Sequence, residues 1–184
     1  MGISGIIILL IVAILVIAFI SIYNKLVRMK NRVEESESQI EVHEKQRYDL
    51  VPNLVETVKG YASHEKGTLE AVIEARNKAA SAGSVMAAEE SNKQLNTAIR
   101  GIFALSESYP DLKANTNFLE LQKQLTTIEE KILSARKYYN AVVREFNNLC
   151  ETFPSVIVAN MNHYKKKEYL QVEEEEKKRV DVKF

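Results

Sequence analysis

Charged side chains are absent from residues 1–24, although they make up 27% of the whole chain. Tryptophan is missing, and glycine (6), proline (3) and cysteine (1) are scarce. The single cysteine, Cys150, excludes an intramolecular disulfide and is compatible with a reducing compartment. Basic and acidic residues balance at 25 each, so the net charge gives no argument for nucleic acid binding. Few glycines and prolines favour long helices.

Motifs that carry chemistry are also missing. The chain has no glycine-rich phosphate loop, and no strand-like alternation of apolar and polar residues. None of His43, His64 and His163 follows a glutamate three positions earlier, so the Glu-x-x-His motif of di-iron bundles is absent. Cys150 follows an apolar helix position and is expected to be a small buried hydrophobe. We therefore predict a protein that is not an enzyme, with no catalytic residue, metal or cofactor.

An unbroken apolar run extends from Ile3 to Ile22, interrupted only by small residues. As a helix it is about 30 Å long, the thickness of a bilayer core. A cleaved secretory signal is the alternative, but the run is too long, no basic residue precedes it and no cleavage site follows. The sequence predicts a transmembrane anchor over residues 1–22.

Four cations follow the run before the first acidic residue, Glu34: Lys25, Arg28, Lys30 and Arg32. Basic flanks stay in the cytoplasm, so the N-terminus is expected outside and the large C-terminal part in the cytoplasm, as a single-pass protein. Near the bilayer these cations are expected to contact anionic lipid headgroups. Whether Lys165, Lys166 and Lys167 do the same depends on where that end of the fold points.

Apolar residues recur at alternating steps of three and four in the second half of the chain, as in a coiled coil. They predict a long helix ending at Phe153-Pro154, with a capping box from Asn117 to Glu120. The recurring positions are Phe118, Leu121, Leu125, Ile128, Ile132, Ala135, Tyr139, Val142, Phe146 and Leu149.

The helix that leaves the membrane is expected to continue to about Tyr61, with a kink rather than a loop near Pro52. Its seam holds Leu26, Met29, Val33, Ile40, Leu50, Leu54 and Tyr61, with Ser36, His43, Arg47 and Thr57 between them.

A further helix is predicted over residues 68–108, although residues 80–91 fit either helix or loop. Tyr109-Pro110-Asp111 predicts a turn. A short last helix is predicted over residues 156–169, capped by Ser155.

The fold class is therefore all-α, with a transmembrane helix followed by an elongated antiparallel bundle of three long helices and a short fourth. The bundle is assigned to residues 23–170. Residues 171–184, which contain blocks of Glu and of Lys and Arg, are assigned to a disordered charged tail.

The chain contains a set of distinctive strings: YNKLV (23–27), RYDLVPNLV (47–55), VKGYA (58–62), EAR (74–76), YPDLKA (109–114) and FP (153–154). On these strings it resembles the LemA family of bacterial membrane proteins over residues 3–170, which implies that the membrane is the inner membrane of a bacterium. The resemblance implies an N-terminal anchor, a helical bundle and a place in the bacterial envelope. It implies no catalytic activity and no cofactor.

The candidate site consists of three arginines at or near the predicted seams, Arg47, Arg76 and Arg136, and of Asp49 as a carboxylate partner. Glu74 and Glu130 are the other candidate partners, since a buried arginine needs a carboxylate. Three interpretations are open: an ion-pair layer that fixes helix register, a ligand or partner site, and plain solvent exposure.

The predicted function is a scaffold or interaction module at the cell envelope. Its partners would be the bilayer and another envelope protein or a second copy, and not nucleic acid. The alternative is a sensor that binds a small ligand near Arg47 and Arg76.

Overall fold

Helices account for all the regular structure in the described part of the chain. The computed structural model describes residues 2–171, and within these residues there is no strand. The all-α prediction, with a long apolar N-terminal helix followed by a helical bundle, is confirmed. The helices are α1 (Ile3–Lys59), α2 (Lys66–Ala80), α3 (Val85–Ser106), α4 (Pro110–Lys113), α5 (Thr116–Glu151) and α6 (Ser155–Met161).

Helix α1 runs for 57 residues without a break and contains Pro52. Pro52 is exposed, and the helical pattern resumes directly after it, so the prediction of helix rather than loop at this proline is confirmed. The kink itself stays a prediction. Every side chain from residue 2 to residue 21 is exposed, whereas Leu26 is fully buried. By length and composition, α1 is able to cross a membrane.

The buried face of α1 drifts away from the predicted seam. Leu26, Met29, Val33 and Ile40 are buried as expected. Beyond them, Leu50 is only half-buried and Tyr61 is exposed. A straight helix has 3.6 residues per turn, so a strict seven-residue repeat rotates off its face by about 20° per heptad. Arg47 and Leu54 of the predicted seam are buried here, and the other buried positions in this part of α1 are Glu44, Tyr48, Val51, Val55 and Val58.

The chain divides into two compact units, of which one comprises residues 37–137. In it, α2 and α3 pack against each other, and a single apolar cluster joins their inner faces to α1 and α5. The two helices replace the single helix predicted over residues 68–108. Residues 81–84 form the break, and Ser84 caps α3 by accepting a hydrogen bond from the Ala87 N–H (3.2 Å).

The connection from α3 to α5 is a tight corner. Pro110 opens the one-turn helix α4, where its missing N–H costs nothing, and Leu112 anchors the corner in the core. The predicted cap of α5 is wrong, because α5 begins at Thr116 and the side chain of Asn115 accepts from the Phe118 N–H (2.9 Å). The capping geometry therefore starts two residues earlier than the Asn117 capping box.

The second unit comprises residues 1–36 and 138–184, of which residues 2–36 and 138–171 are described. The last helix is shorter than predicted, since α6 ends at Met161 and the Ser155 hydroxyl bonds back to the Thr152 carbonyl instead of capping it. Residues 164–171 are not helical. The predicted tail lies almost entirely outside the described residues.

Two asparagines of α5 hold this non-helical segment through its backbone. Asn147 donates to the Lys167 carbonyl and accepts from the Lys167 N–H, both at 2.9 Å. Asn140 makes the same pair of 2.9 Å bonds with Leu170. Seven residues of helix and three of extended chain both rise about 10 Å, so the two clamps are in register. Leu170 is buried as a result.

Candidate functional site: a polar network between three helices

A buried arginine lies at the centre of the candidate site, in the unit of residues 37–137. Arg47 of α1 is 2% exposed, which is consistent with its place on the predicted seam. Its Nη1 donates to Asn96 Oδ1 (2.6 Å) and Glu129 Oε2 (2.8 Å), and its Nη2 donates to Asn92 Oδ1 (2.6 Å). Arg47 therefore joins α1 to α3 and to α5.

The partners of Arg47 are bonded to one another. Asn96 Nδ2 donates to Glu129 Oε1 (2.7 Å), so the Glu129 carboxylate receives one bond on each oxygen. Asn92 Nδ2 donates to Glu44 Oε1 (2.7 Å), and the Tyr48 hydroxyl donates to Asn92 Oδ1 (2.8 Å). We call these six residues the arginine network: Glu44, Arg47, Tyr48, Asn92, Asn96 and Glu129.

The network places a carboxylate in the core without a direct ion pair to Arg47. Glu44 is 5% exposed, and burial raises its pKa above the usual range, against the opposing field of Arg47 and the Asn92 hydrogen bond. Burial and the Glu44 charge likewise raise the pKa of Tyr48. Arg47 Nε donates no hydrogen bond within the described residues. At Glu44 burial therefore outweighs the field of Arg47 and the Asn92 hydrogen bond.

The predicted carboxylate partners of Arg47 are wrong. Asp49 pairs with Lys45 (3.4 Å) and Glu74 with Lys78 (2.8 Å), both on exposed helix faces. Glu130 is exposed beside the true partner, Glu129. A step of two residues turns a helix by about 200°, so Asp49 lies on the opposite side of α1 from Arg47. A step of one residue turns it by about 100°, so Glu130 points in a different direction from Glu129, which Arg47 binds.

The other two predicted arginines lie in separate surroundings. Arg76 Nε donates to the Tyr48 carbonyl (3.1 Å), so it supports the α1 backbone rather than a carboxylate. Arg136 forms an ion pair with Glu89 (2.6 Å), and their side chains are 16% and 10% exposed. The field of Arg136 also acts on Glu44, so this pair lies near the arginine network.

The four membrane-flanking cations are exposed in the unit that contains residues 2–36. Lys30 pairs with Glu34 (3.5 Å). Arg32 Nε donates to the Tyr138 hydroxyl (2.9 Å), with its guanidinium 5.6 Å from the centre of the tyrosine ring. Lys25 and Arg28 are accessible to solvent on the same stretch of α1.

Two grooves border the arginine network. The first, about 300 Å³, has polar residues of the network at one side and an apolar wall at the other. It is lined by Arg47, Asn96, Ile99, Arg100, Phe103, Leu125, Thr126, Glu129, Glu130 and Leu133. The second, about 340 Å³, includes Glu44, Tyr48 and Arg76. Arg47 and Arg76, which the alternative hypothesis places at one ligand, therefore face different grooves.

Sequence reasoning missed most members of the network. Glu44 and Tyr48 flank Arg47, and they share a helix face because they are four residues apart. Glu89, Asn92 and Asn96 recur at steps of three and four beside the buried Leu95, so polar residues on an apolar face are the signal that was available. Cys150 is buried, as expected, and burial raises the pKa of its thiol.

A model of the LemA family matches residues 36–184 of this chain. The chain belongs to the LemA family. This finding confirms the resemblance seen in the sequence strings. Protein LemA of Metamycoplasma hominis is 28% identical to the chain over 137 residues, which cover 74% of this chain and 63% of that relative. This LemA-family chain thus spans less than two thirds of that relative's length.

Arg47→Met should lower the free energy of unfolding by about 3 kcal/mol, because it strips the shared donor from Asn92, Asn96 and Glu129 in a buried site. Thermal melting and chemical denaturation in detergent measure the loss. Arg100→Met, an exposed arginine on α3, is the matched control and should change stability by less than about 0.5 kcal/mol. Equal losses in the two variants would contradict a structural role for Arg47.

Glu44→Gln should change how stability depends on pH. Because the folded-state pKa of Glu44 is raised, its contribution is fully present below the unfolded-state pKa and is lost as pH rises through the folded value. Glutamine keeps the acceptor for Asn92 but carries no charge, so the variant should gain stability over the wild type as pH rises from about 4.5, the model-peptide value. Melting curves across this range measure the difference.

The control for this experiment is Glu41→Gln, one turn earlier on an exposed face of α1. The change in pH dependence should be larger for Glu44→Gln than for this exposed control. A Glu44→Gln variant whose stability runs parallel to wild type at every pH would show that the Glu44 proton is not linked to folding.

Proposed function

We propose that this LemA-family protein is a non-enzymatic, single-pass membrane protein that presents its helical bundle as a scaffold on the cytoplasmic side. The observation that carries the proposal is helix α1. Its first turns expose apolar side chains on all sides over a length that matches a bilayer, and the same helix continues into the packed bundle.

The sidedness rests on the charges next to the apolar segment. Lys25, Arg28, Lys30 and Arg32 remain exposed on α1, where they are able to meet anionic headgroups of the inner leaflet. The opposite flank of the segment contains no Lys or Arg. This asymmetry supports an N-terminus outside the bacterial inner membrane and a cytoplasmic bundle.

The arginine network supports a scaffold rather than chemistry. Its charged and amide groups are bonded to each other across three helices, which fixes how those helices face one another. Such buried polar contacts contribute little net stability but penalise a shifted register, because each shift would leave a group unpaired. A bundle with one fixed arrangement offers a constant surface to another envelope protein or to a second copy.

Photocrosslinking in native membranes tests the scaffold directly. A photoreactive amino acid at exposed apolar or aromatic positions, Val42, Tyr61 and Leu119, should capture a defined protein neighbour that mass spectrometry identifies. Two differently tagged copies reveal self-association in the same experiment. The matched control is the purified chain in detergent, where a neighbour other than a second copy should disappear. Failure to capture any defined protein from all three positions would contradict the scaffold.

A ligand sensor is the second candidate, and the first groove favours it. The groove sets the exposed Arg100 and the network residues Arg47 and Glu129 beside an apolar wall. This combination suits a small molecule with one anionic and one apolar end. Native mass spectrometry of the membrane-extracted protein should then show a bound small molecule that Arg100→Gln loses. Scaffold neighbours should survive that substitution, so the two functions are separable.

A further inference from the structure

Three large apolar side chains are exposed where α5 turns into α6. Phe153 is 81% exposed, Ile157 52% and Met161 63%. They follow one another at steps of four residues, and Ile157 and Met161 share one face of α6. The other face of α6 is buried, with Val158 and Ala159 at 3% and 0% exposure. We call the three exposed residues the apolar corner.

The direction of α5 in this unit follows from one hydrogen bond. Arg32 Nε donates to the Tyr138 hydroxyl, so these two residues lie side by side. Residues 138–151 share their compact unit with α1 only as far as Ser36. From Tyr138 onward, α5 therefore runs back along α1 toward its apolar end.

The length of α5 from Tyr138 to its end places the apolar corner at the level where the apolar segment of α1 ends. From Tyr138 to Glu151, α5 extends roughly 20 Å, and the same distance back along α1 from Arg32 reaches about Phe19. Burial on α1 begins close to this level, because Ile22 is the first residue of α1 that is not exposed and Leu26 is fully buried.

Basic side chains lie beside the apolar corner. Lys166 pairs with Glu151 at the end of α5 (2.7 Å), which fixes the start of the non-helical segment at this level. Lys165 and Lys167, its neighbours on either side, are exposed. An apolar face bordered by lysines is the composition of a segment that lies in a membrane interface.

We propose that the apolar corner, Phe153, Ile157 and Met161, inserts into the bilayer interface on the side where the apolar part of α1 ends, with Lys165 against anionic lipid headgroups. The inference rests on the proposed membrane anchoring of α1. We name the bilayer as the binding partner because the corner lies at the level along α1 where the apolar segment ends. A bilayer that surrounds the apolar segment therefore reaches the corner as well. The protein thus holds the membrane at two places: a spanning helix and an interfacial helix.

Depth-dependent quenching tests the inference in the full chain. The protein, in a Cys150→Ala background, is labelled with a fluorophore at single cysteines and placed in vesicles of phosphatidylcholine and phosphatidylglycerol with brominated acyl chains. Labels at Ile157→Cys and Met161→Cys should be quenched at least about twofold more strongly than a label at Asn160→Cys, which lies on another face of the same helix. Replacing phosphatidylglycerol by phosphatidylcholine should reduce quenching at Met161→Cys, and Lys165→Gln should remove that lipid dependence.

Two reference labels separate the possible failures. Ile11→Cys reports on the spanning part of α1, and Asn117→Cys reports on an exposed site of α5. One outcome is strong quenching at Ile11 while the labels at Ile157 and Met161 are quenched no more than the label at Asn117. This result would overturn insertion of the apolar corner and leave the anchor intact. An Ile11 label no more quenched than Asn117 would overturn both. Quenching at the corner that ignores lipid charge would overturn the headgroup contact alone.

Discussion

Helix α1 has side chains suited to two different solvents along one continuous backbone. From residue 2 to residue 21 every side chain is exposed, and nearly all are apolar, so this stretch is suited to a bilayer. From Leu26 onward only one face is buried and the others carry charge. Because a helix satisfies its own backbone hydrogen bonds in either medium, the change of solvent requires no break in the chain. Residues 138–151 of α5 run back along the part of α1 that ends at Ser36 and cover that buried face.

Further along α1, polar contacts rather than apolar ones decide which helix faces which. Val51, Leu54 and Val58 would tolerate small shifts of their neighbours, since apolar contacts are not directional. The hydrogen bonds of Arg47 are directional, so a shift of α3 or α5 would stretch its bonds to Asn92, Asn96 and Glu129. Buried Glu44 shows the cost of such polar contacts, because burial disfavours the charged form of its carboxylate.

Sequence alone predicted the helices well where periodicity and punctuation agree, as in α5 from Phe118 to Phe146. It failed where one side chain decides. Asn115 rather than Asn117 caps α5, because its side chain accepts from the Phe118 N–H. The last helix ends at Met161, and His163, two residues later, has a left-handed backbone conformation (φ 56°). Further on, Asn140 and Asn147 bind the backbone of Leu170 and Lys167, a tertiary contact that no local signal contains.

The candidate site was predicted only in part, for a geometric reason. Arg47 was found because its seam position predicts burial. Its true partner, Glu129, is one residue before the expected Glu130, which corresponds to a rotation of about 100° around the helix. The spacing of three and four residues does not tell which of two adjacent residues faces Arg47. Arg136 was named without its partner Glu89, because a pairing between helices depends on their relative height.

Impermeant thiol labelling of intact cells tests the central claim, that α1 spans the membrane with the bundle inside. In a Cys150→Ala background, Gly2→Cys lies before the apolar segment and Lys45→Cys lies on an exposed face beyond it. The reagent should label Gly2→Cys in intact cells and Lys45→Cys only after the membrane is permeabilised. Labelling of Lys45→Cys in intact cells, with Gly2→Cys protected, would contradict the proposed orientation. Recovery of the chain in the soluble fraction would contradict the anchor itself.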